Sequence, residues 1–168
     1  MNAAKAFYFF LFGALSLIVP FFTLYYQGLG LSGRQIGFLI GIVPLINLAG
    51  ATIWSMMADA TGRHRLLFLT AIVCTWISVF LMTQVDTFQL LVPIIIAYAF
   101  CFSPIIPLAD NAVIDWFGAE AYGRQRVWGS YGWGMGGALA GIVIAAYGLP
   151  SAFVTFMIIF VALFLAGT

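Results

Sequence analysis

The chain has 168 residues, of which 64% are hydrophobic and only 7% are charged, and its formal net charge is +1. Soluble domains are about 45–50% apolar, so this composition excludes a soluble globular domain and indicates an integral membrane protein. The near-neutral net charge argues against a nucleic-acid partner, so we expect none. Phosphate-binding loops, metal-ligand spacings and nucleophile motifs are absent from the sequence, so we expect no cofactor, no metal and no enzymatic activity.

Six apolar runs follow one another along the chain, and each is close to the ~20 residues that a membrane-spanning helix needs. They cover residues 6–26, 36–58, 66–84, 89–116, 127–147 and 151–168. We therefore predict an all-α integral membrane fold in which residues 1–168 form one domain of six transmembrane helices.

The placement of basic residues predicts the orientation of these helices, since cytoplasmic loops carry an excess of lysine and arginine. With the N-terminus inside, the basic residues on the cytoplasmic side are Lys5, Arg63, Arg65, Arg124 and Arg126. Arg34 alone falls outside. We therefore expect a cytoplasmic N-terminus, with the lipid bilayer surrounding the helices.

The turn after the second run contains residues that end a helix at the cytoplasmic surface. Asp59 ends the helix, Gly62 allows a left-handed cap, and Arg63 suits anionic headgroups. An ordinary capped turn would have the same residues. The turn also resembles the signature loop of the major facilitator superfamily, Gly-x-x-x-Asp followed by x-x-Gly-Arg-Lys/Arg, although Ser55 and Ala60 depart from that pattern. The resemblance implies a gating role for Asp59, Gly62 and Arg63.

The densest group of charges begins in the fourth run. Five charged residues fall within 17 positions: Asp110, Asp115, Glu120, Arg124 and Arg126. An ion at membrane depth costs roughly 2.5–3.5 kcal/mol on insertion scales, so such residues usually face a bundle interior or an aqueous pathway. The candidate site is therefore placed here, and Asn47 of the second run is a weaker candidate for the same cavity.

Pro104 and Pro107 lie one to two turns before Asp110. Internal prolines remove backbone hydrogen bonds and kink a helix, which membrane proteins tolerate where neighbours or water satisfy the freed carbonyls. Two interpretations stay open: a kink that serves packing alone, or a kink whose carbonyls line the same cavity as Asp110.

Arg126 and Trp133 are seven residues apart, which places them two turns apart on one helical stripe with Ser130 between them. A guanidinium and an indole displayed together suit a carboxylate or a sugar ring, through bidentate hydrogen bonds and stacking. The alternative is an arginine at the interface and a tryptophan in the aromatic belt. That alternative fits Trp133 less well, because this residue lies about 10 Å deeper.

The segment Ser103-Pro-x-x-Pro-Leu-x-Asp, followed by Tyr122-Gly-Arg-x-Arg-x-Trp-Gly-Ser, resembles the branch of the superfamily that contains lactose permease and the phenylpropionate-type transporters. This resemblance implies that Arg126 binds solute, that Trp133 stacks on it and that Asp110 pairs with Arg126. Asp115 is an alternative to Asp110, because the stretch between the acid and the arginine is shorter here than in the permease.

The resemblance also implies an architecture of twelve helices in two six-helix halves, each a three-plus-three inverted repeat. A weak internal echo agrees with it, since Gly33-Arg-Gln follows helix one and Gly123-Arg-Gln follows helix four. The chain would be one half, and three sources remain open for the other: a longer chain, a second copy, or a different complex of which this half is a subunit.

The function expected from this resemblance is secondary active transport, with proton-coupled symport of an aromatic or other organic acid, or of a sugar, across the bacterial inner membrane. The alternative is a membrane subunit or assembly factor that keeps the fold without transporting. That alternative predicts that Asp110, Arg126 and Trp133 all tolerate alanine.

Overall fold

A computed structural model describes residues 3–167 of the chain, with side chains described for residues 3–165. This part of the chain consists of helices and short turns without a strand, as the all-α prediction requires. The helices are Ala3–Ile18 (α1), Phe22–Gly28 (α2), Gly33–Thr61 (α3), His64–Met82 (α4), Phe88–Phe102 (α5), Ile105–Phe117 (α6), Ala119–Tyr147 (α7) and Pro150–Gly167 (α8). A 3₁₀ turn at Val19–Phe21, which contains Pro20, joins α1 to α2.

Four helical segments of the described chain are long and apolar enough to cross a membrane. They are Ala3–Gly28, Gly33–Thr61, His64–Met82 and Phe88–Phe117. The region of the fifth predicted span lies in α7, whose glycines, arginines and serine lower its hydropathy, and Pro150–Leu165 in the region of the sixth is a shorter apolar helix. The structure therefore supports a helical membrane protein, and the count of six spans stays a prediction.

The ends of α3 follow from local sequence. Ser32 caps its start, since the Gln35 amide donates to the Ser32 hydroxyl and the Ser32 amide donates to the Gln35 side chain at 2.9 Å. Gly62 caps its end with φ of 64°, and the Gly62 amide donates to the Ala58 carbonyl at 2.8 Å. The left-handed cap predicted at Gly62 is thus confirmed, because a residue with a Cβ rarely adopts this conformation.

The region of the fourth predicted span contains a break at Ser103 and Pro104, between α5 and α6. Pro104 has no amide to donate to the Phe100 carbonyl. That carbonyl instead accepts the Trp54 indole N–H at 3.1 Å and the Ser103 hydroxyl at 2.7 Å. The freed Phe100 carbonyl is therefore satisfied by protein side chains. Pro107 lies in the first turn of α6, where a missing amide removes no helical hydrogen bond.

The chain divides into two compact units. The first comprises residues up to Phe22 and from Asp110 onward, and the second comprises Thr23–Ala109. In the first unit α1 packs against α7 and α8; in the second, α3 and α4 pack against α5. The second unit also ties α2 to the end of α4, because the Tyr25 hydroxyl donates to the Met82 carbonyl at 2.8 Å.

Glycines bring the backbones of α1 and α7 into contact within the first unit. A Cβ at Gly132 would meet the backbone of Phe9, and a Cβ at Gly136 would meet the backbone of Gly13. Small residues at such a seam let two membrane helices approach closely. We call these contacts the α1–α7 seam. It holds α1 side chains within reach of the charged first half of α7.

Candidate solute-binding site

An ion pair joins α6 to α7 in the first unit. The Arg126 Nε atom lies 3.7 Å from Asp110 Oδ1, and the two side chains are 32% and 22% exposed, respectively. This separation exceeds the 2.7–3.2 Å of an N–H···O hydrogen bond. The pair is therefore an electrostatic contact, and the guanidinium is not locked onto the carboxylate by a two-point hydrogen bond.

A tyrosine of α1 holds the same carboxylate. The Tyr8 hydroxyl donates to Asp110 Oδ1 at 2.6 Å, and Tyr8 is completely buried. Tyr8 packs in a small apolar cluster with Ala4 and Val113, against which Tyr122 also packs. Asp110 and Arg126 are both electrostatic neighbours of the Tyr122 hydroxyl. Asp110 is thus fixed by a buried donor on α1.

The guanidinium of Arg126 lies on two aromatic rings of α1. Its central carbon is 4.3 Å from the centroid of the Phe12 ring and 5.4 Å from that of the Tyr8 ring. Both distances are within the ≈ 6 Å range of a cation–π contact. Gly129 makes room for this arrangement, since a Cβ there would lie 2.8 Å from Phe12 Cδ2 and 3.2 Å from Arg126 Nη1.

A pocket of about 300 Å³ opens beside the guanidinium. Its lining residues are Phe12, Arg126, Gly129, Ser130 and Trp133. Trp133 is 39% exposed, so part of its indole is available for contact. The pocket therefore combines one cation, one hydroxyl and two aromatic rings.

The structure thus brings four of the predicted site residues together in the first unit: Asp110 and Arg126 as a pair, and Ser130 and Trp133 in the pocket with Arg126. Asp115 is exposed further along α6, and the ion pair of Arg126 is with Asp110. Asn47 belongs to α3 of the second unit, where its buried Oδ1 finds no hydrogen-bond partner among the described residues.

The predicted gating residues lie at the turn between α3 and α4 of the second unit. Asp59 and Arg63 are exposed, and Gly62 forms the cap described above. A cavity of about 440 Å³ borders this turn, lined by Gly62–Leu66 and Leu69. The turn therefore presents several basic side chains at an accessible surface.

Sequence reasoning missed Tyr8 and Phe12. A tyrosine hydroxyl inside an apolar run was a usable signal for Tyr8, because a buried hydroxyl needs a partner. Phe12 lies among several other phenylalanines of the same run, and no sequence signal separates it from them.

The geometry of this site suits a small solute with one anionic end. The guanidinium offers donors in a planar fork that matches a carboxylate. The Phe12 and Trp133 rings offer faces on which an aromatic or sugar ring can stack. Asp110 supplies a counter-charge at one edge of the guanidinium and leaves the pocket side for another partner.

Comparison with known proteins shows that this chain is similar to membrane transporters. Residues 2–168 match the model of the MFS_1 like family. The chain is 29% identical to maltose permease of Geobacillus stearothermophilus over 163 residues, which covers 95% of this chain and 40% of the permease. It is 26% identical to the probable 3-phenylpropionic acid transporter of Escherichia coli over 144 residues, covering 83% of this chain and 38% of that protein.

A third relative is the transporter YwbF of Bacillus subtilis, which is 29% identical over 136 residues and is matched over 34% of its length and 79% of this chain. The chain therefore spans about two fifths of the length of the curated relatives it matches. These relatives confirm the resemblance on which the sequence prediction rested. The chain belongs to the MFS_1 like family, within the major facilitator superfamily of membrane transporters.

Proposed function

We propose that this chain forms part of a secondary active transporter that carries a small organic anion across the membrane by alternating access. The observation that carries this proposal is the position of Arg126. Its guanidinium is stacked on Phe12, lies 3.7 Å from Asp110 and borders a pocket that Trp133 also lines. A guanidinium that is only 32% exposed, and that is not tied to its carboxylate by a close hydrogen bond, is a candidate binding group for an anion.

The anionic end of the solute binds the Arg126 guanidinium, and its apolar body lies against Phe12 and Trp133. The Ser130 hydroxyl supplies one further hydrogen bond within the same pocket. A pocket of about 300 Å³ lies at the small end of the range for ligand sites, which fits a single-ring solute. An aromatic acid satisfies all four residues at once.

A saccharide is the second candidate, and the similarity to a maltose permease favours it. In this case Asp110 accepts hydrogen bonds from the sugar hydroxyl groups and Arg126 donates hydrogen bonds to them. Trp133 stacks on the apolar face of the sugar. The two candidates differ in one requirement, because only the organic acid needs a full negative charge opposite Arg126.

The wider proposal follows the family. We propose a six-helix half built as a three-plus-three inverted repeat, completed by a second half, in the inner membrane of a bacterium with the N-terminus in the cytoplasm. The bias of five basic residues against one supports this orientation. Proton symport is the proposed coupling, and Asp59, Gly62 and Arg63 are proposed to control the gate.

The test is uptake by proteoliposomes containing the transporter to which this chain belongs. We expect uptake of 3-phenylpropionate, faster with an acidic exterior and abolished by a protonophore, and little uptake of the neutral 3-phenylpropanamide. Uptake of maltose in place of the acid would select the second candidate. Uptake of neither solute would favour the non-transporting subunit, provided that alanine at Asp110, Arg126 and Trp133 leaves the stability of the purified protein unchanged.

The gating proposal has a separate test in the same vesicles. Asp59→Asn removes an exposed charge outside the pocket, so we expect a lower maximal uptake rate with an unchanged concentration for half-maximal uptake. A change in that concentration alone would contradict a gating role.

A further inference from the structure

We propose that Tyr8 is a positioning residue that holds Asp110 off Arg126 and so keeps the guanidinium available to an anionic solute. This inference rests on the proposed anion site. Neither the sequence motifs nor the comparisons assign this role to Tyr8. The observation behind it is that the Tyr8 hydroxyl and Arg126 both contact one oxygen atom, Asp110 Oδ1.

Asp110 Oδ1 faces two donors at unequal distances. The Tyr8 hydroxyl is at 2.6 Å, a short hydrogen bond, whereas Arg126 Nε is at 3.7 Å. Hydroxyl-to-carboxylate bonds of 2.5–2.7 Å are among the stronger hydrogen bonds in proteins. The carboxylate is therefore bonded to the tyrosine, and the arginine is its more distant partner.

The tyrosine is firmly placed. Tyr8 is 0% exposed and packs against Ala4 and Val113, so its hydroxyl has little freedom to follow the carboxylate elsewhere. Its ring also lies 5.4 Å from the centre of the Arg126 guanidinium. One side chain thus positions both members of the pair, the acid through its hydroxyl and the base through its ring.

The consequence concerns the exchange of partners when solute binds. A partly buried carboxylate that loses its only partner is destabilised. Because Asp110 keeps the Tyr8 hydrogen bond, Arg126 can turn to a solute carboxylate without leaving Asp110 unpaired. Without the hydroxyl, Asp110 would move onto Arg126, form a tighter pair and compete with the solute.

The experiment compares Tyr8→Phe with the parent protein, since this change keeps the ring and its packing and removes only the hydroxyl. The first readout needs no solute: the rate at which phenylglyoxal modifies Arg126, followed by mass spectrometry of the detergent-purified chain. Arg126 is 32% exposed and within reach of the reagent. We expect modification to slow by roughly two- to tenfold, the range that one hydrogen bond covers.

Three further variants show whether a slower rate has the proposed cause. Tyr8→Phe combined with Asp110→Asn should return the rate to at least the parent value, because no carboxylate is left to pair with Arg126. Asp110→Glu adds one methylene group, which moves the carboxylate away from the Tyr8 hydroxyl and toward Arg126. This variant should slow modification as Tyr8→Phe does. Tyr25→Phe removes another tyrosine hydrogen bond, to the Met82 carbonyl, and should leave the rate unchanged.

The second readout is uptake of 3-phenylpropionate, for which Tyr8→Phe should raise the concentration for half-maximal uptake by a similar factor. An unchanged modification rate in Tyr8→Phe overturns the inference. If Tyr8→Phe fails to fold, an unchanged rate in Asp110→Glu overturns it. If the modification rates behave as expected but 3-phenylpropionate is not carried, the proposed solute fails and the role of Tyr8 in positioning the pair remains supported.

Discussion

Trp54 donates its indole N–H to the carbonyl oxygen of Phe100 at 3.1 Å, an oxygen that Pro104 leaves without a helical donor. The Ser103 hydroxyl donates to the same oxygen at 2.7 Å. Trp54 of α3, Phe100 of α5 and Ser103 of the break are therefore joined by hydrogen bonds. We call these three residues and Pro104 the Trp54 cluster; in it, the carbonyl that the proline leaves free is paired within the protein. This arrangement explains how an apolar helical run accommodates a break.

The first prediction concerns the Trp54 cluster. Trp54→Phe removes one of two donors to the Phe100 carbonyl, and we expect a loss of about 0.5–1.5 kcal/mol in the free energy of unfolding. Pro104→Ala restores an amide in helical register, because the Ser103 amide already donates to the Ala99 carbonyl at 3.1 Å. The double variant should recover part of the loss in a detergent unfolding titration. A double variant that is no more stable than Trp54→Phe would contradict this explanation.

The second prediction concerns the guanidinium of the site. Arg126→Lys keeps the positive charge but loses the planar fork, so uptake of 3-phenylpropionate should fall at least about tenfold. Arg124→Lys is the matched control: it lies on the same helix, about 200° around the axis from Arg126, and is exposed. Near-normal uptake by Arg126→Lys would remove Arg126 from the solute site.

The third prediction concerns the space that Gly129 leaves. Gly129→Ala would bring a Cβ to 2.8 Å from Phe12 Cδ2, so the ring and the Arg126 guanidinium must shift. We expect weaker protection of Arg126 against phenylglyoxal by 3-phenylpropionate. Gly134→Ala adds the same methyl group to α7 where nothing lies within 4 Å, and its protection should match that of the parent. Equal protection in both variants would show that the Phe12 position is unimportant.

The fourth prediction concerns stability at the α1–α7 seam. Gly132→Ala would place a Cβ against the backbone of Phe9, which has no flexible end to move away. Such overpacking typically costs 1–3 kcal/mol, so the unfolding midpoint of the purified chain should fall clearly. Gly137→Ala adds a methyl group with nothing within 4 Å and should leave the midpoint unchanged or slightly raised. A seam that tolerates both changes equally would contradict the close backbone contact.

Local features of the fold could be predicted from the sequence, because their causes are local. The apolar runs predicted helices, and the glycine after Thr61 predicted the left-handed cap at Gly62. The 3₁₀ turn at Val19–Phe21 was not predicted, since Pro20 lies inside a run that is uniformly apolar. The number of spans stays open for a related reason: α7 is as long as α3 but is rich in glycine and polar residues.

The candidate site could be predicted only in part. Arg126, Ser130 and Trp133 follow from the helical repeat of one segment, and Asp110 follows from the family resemblance. Tyr8 and Phe12 reach the site from a segment about a hundred residues earlier. Which side of α1 faces Arg126 depends on how its backbone fits the glycines of α7, and that long-range fit is invisible in the pattern of either helix alone.

The α1–α7 seam also determines which positions of the proposed site can change without loss of the fold. Gly132 and Gly136 face backbone atoms that cannot yield, so a larger residue there disturbs the helix pair before it alters recognition. Phe12, Ser130 and Trp133 line the proposed pocket from the same two helices. Changes at Ser130 and Trp133, in nature or in a directed library, therefore alter the proposed pocket and leave the backbone contacts of the seam in place.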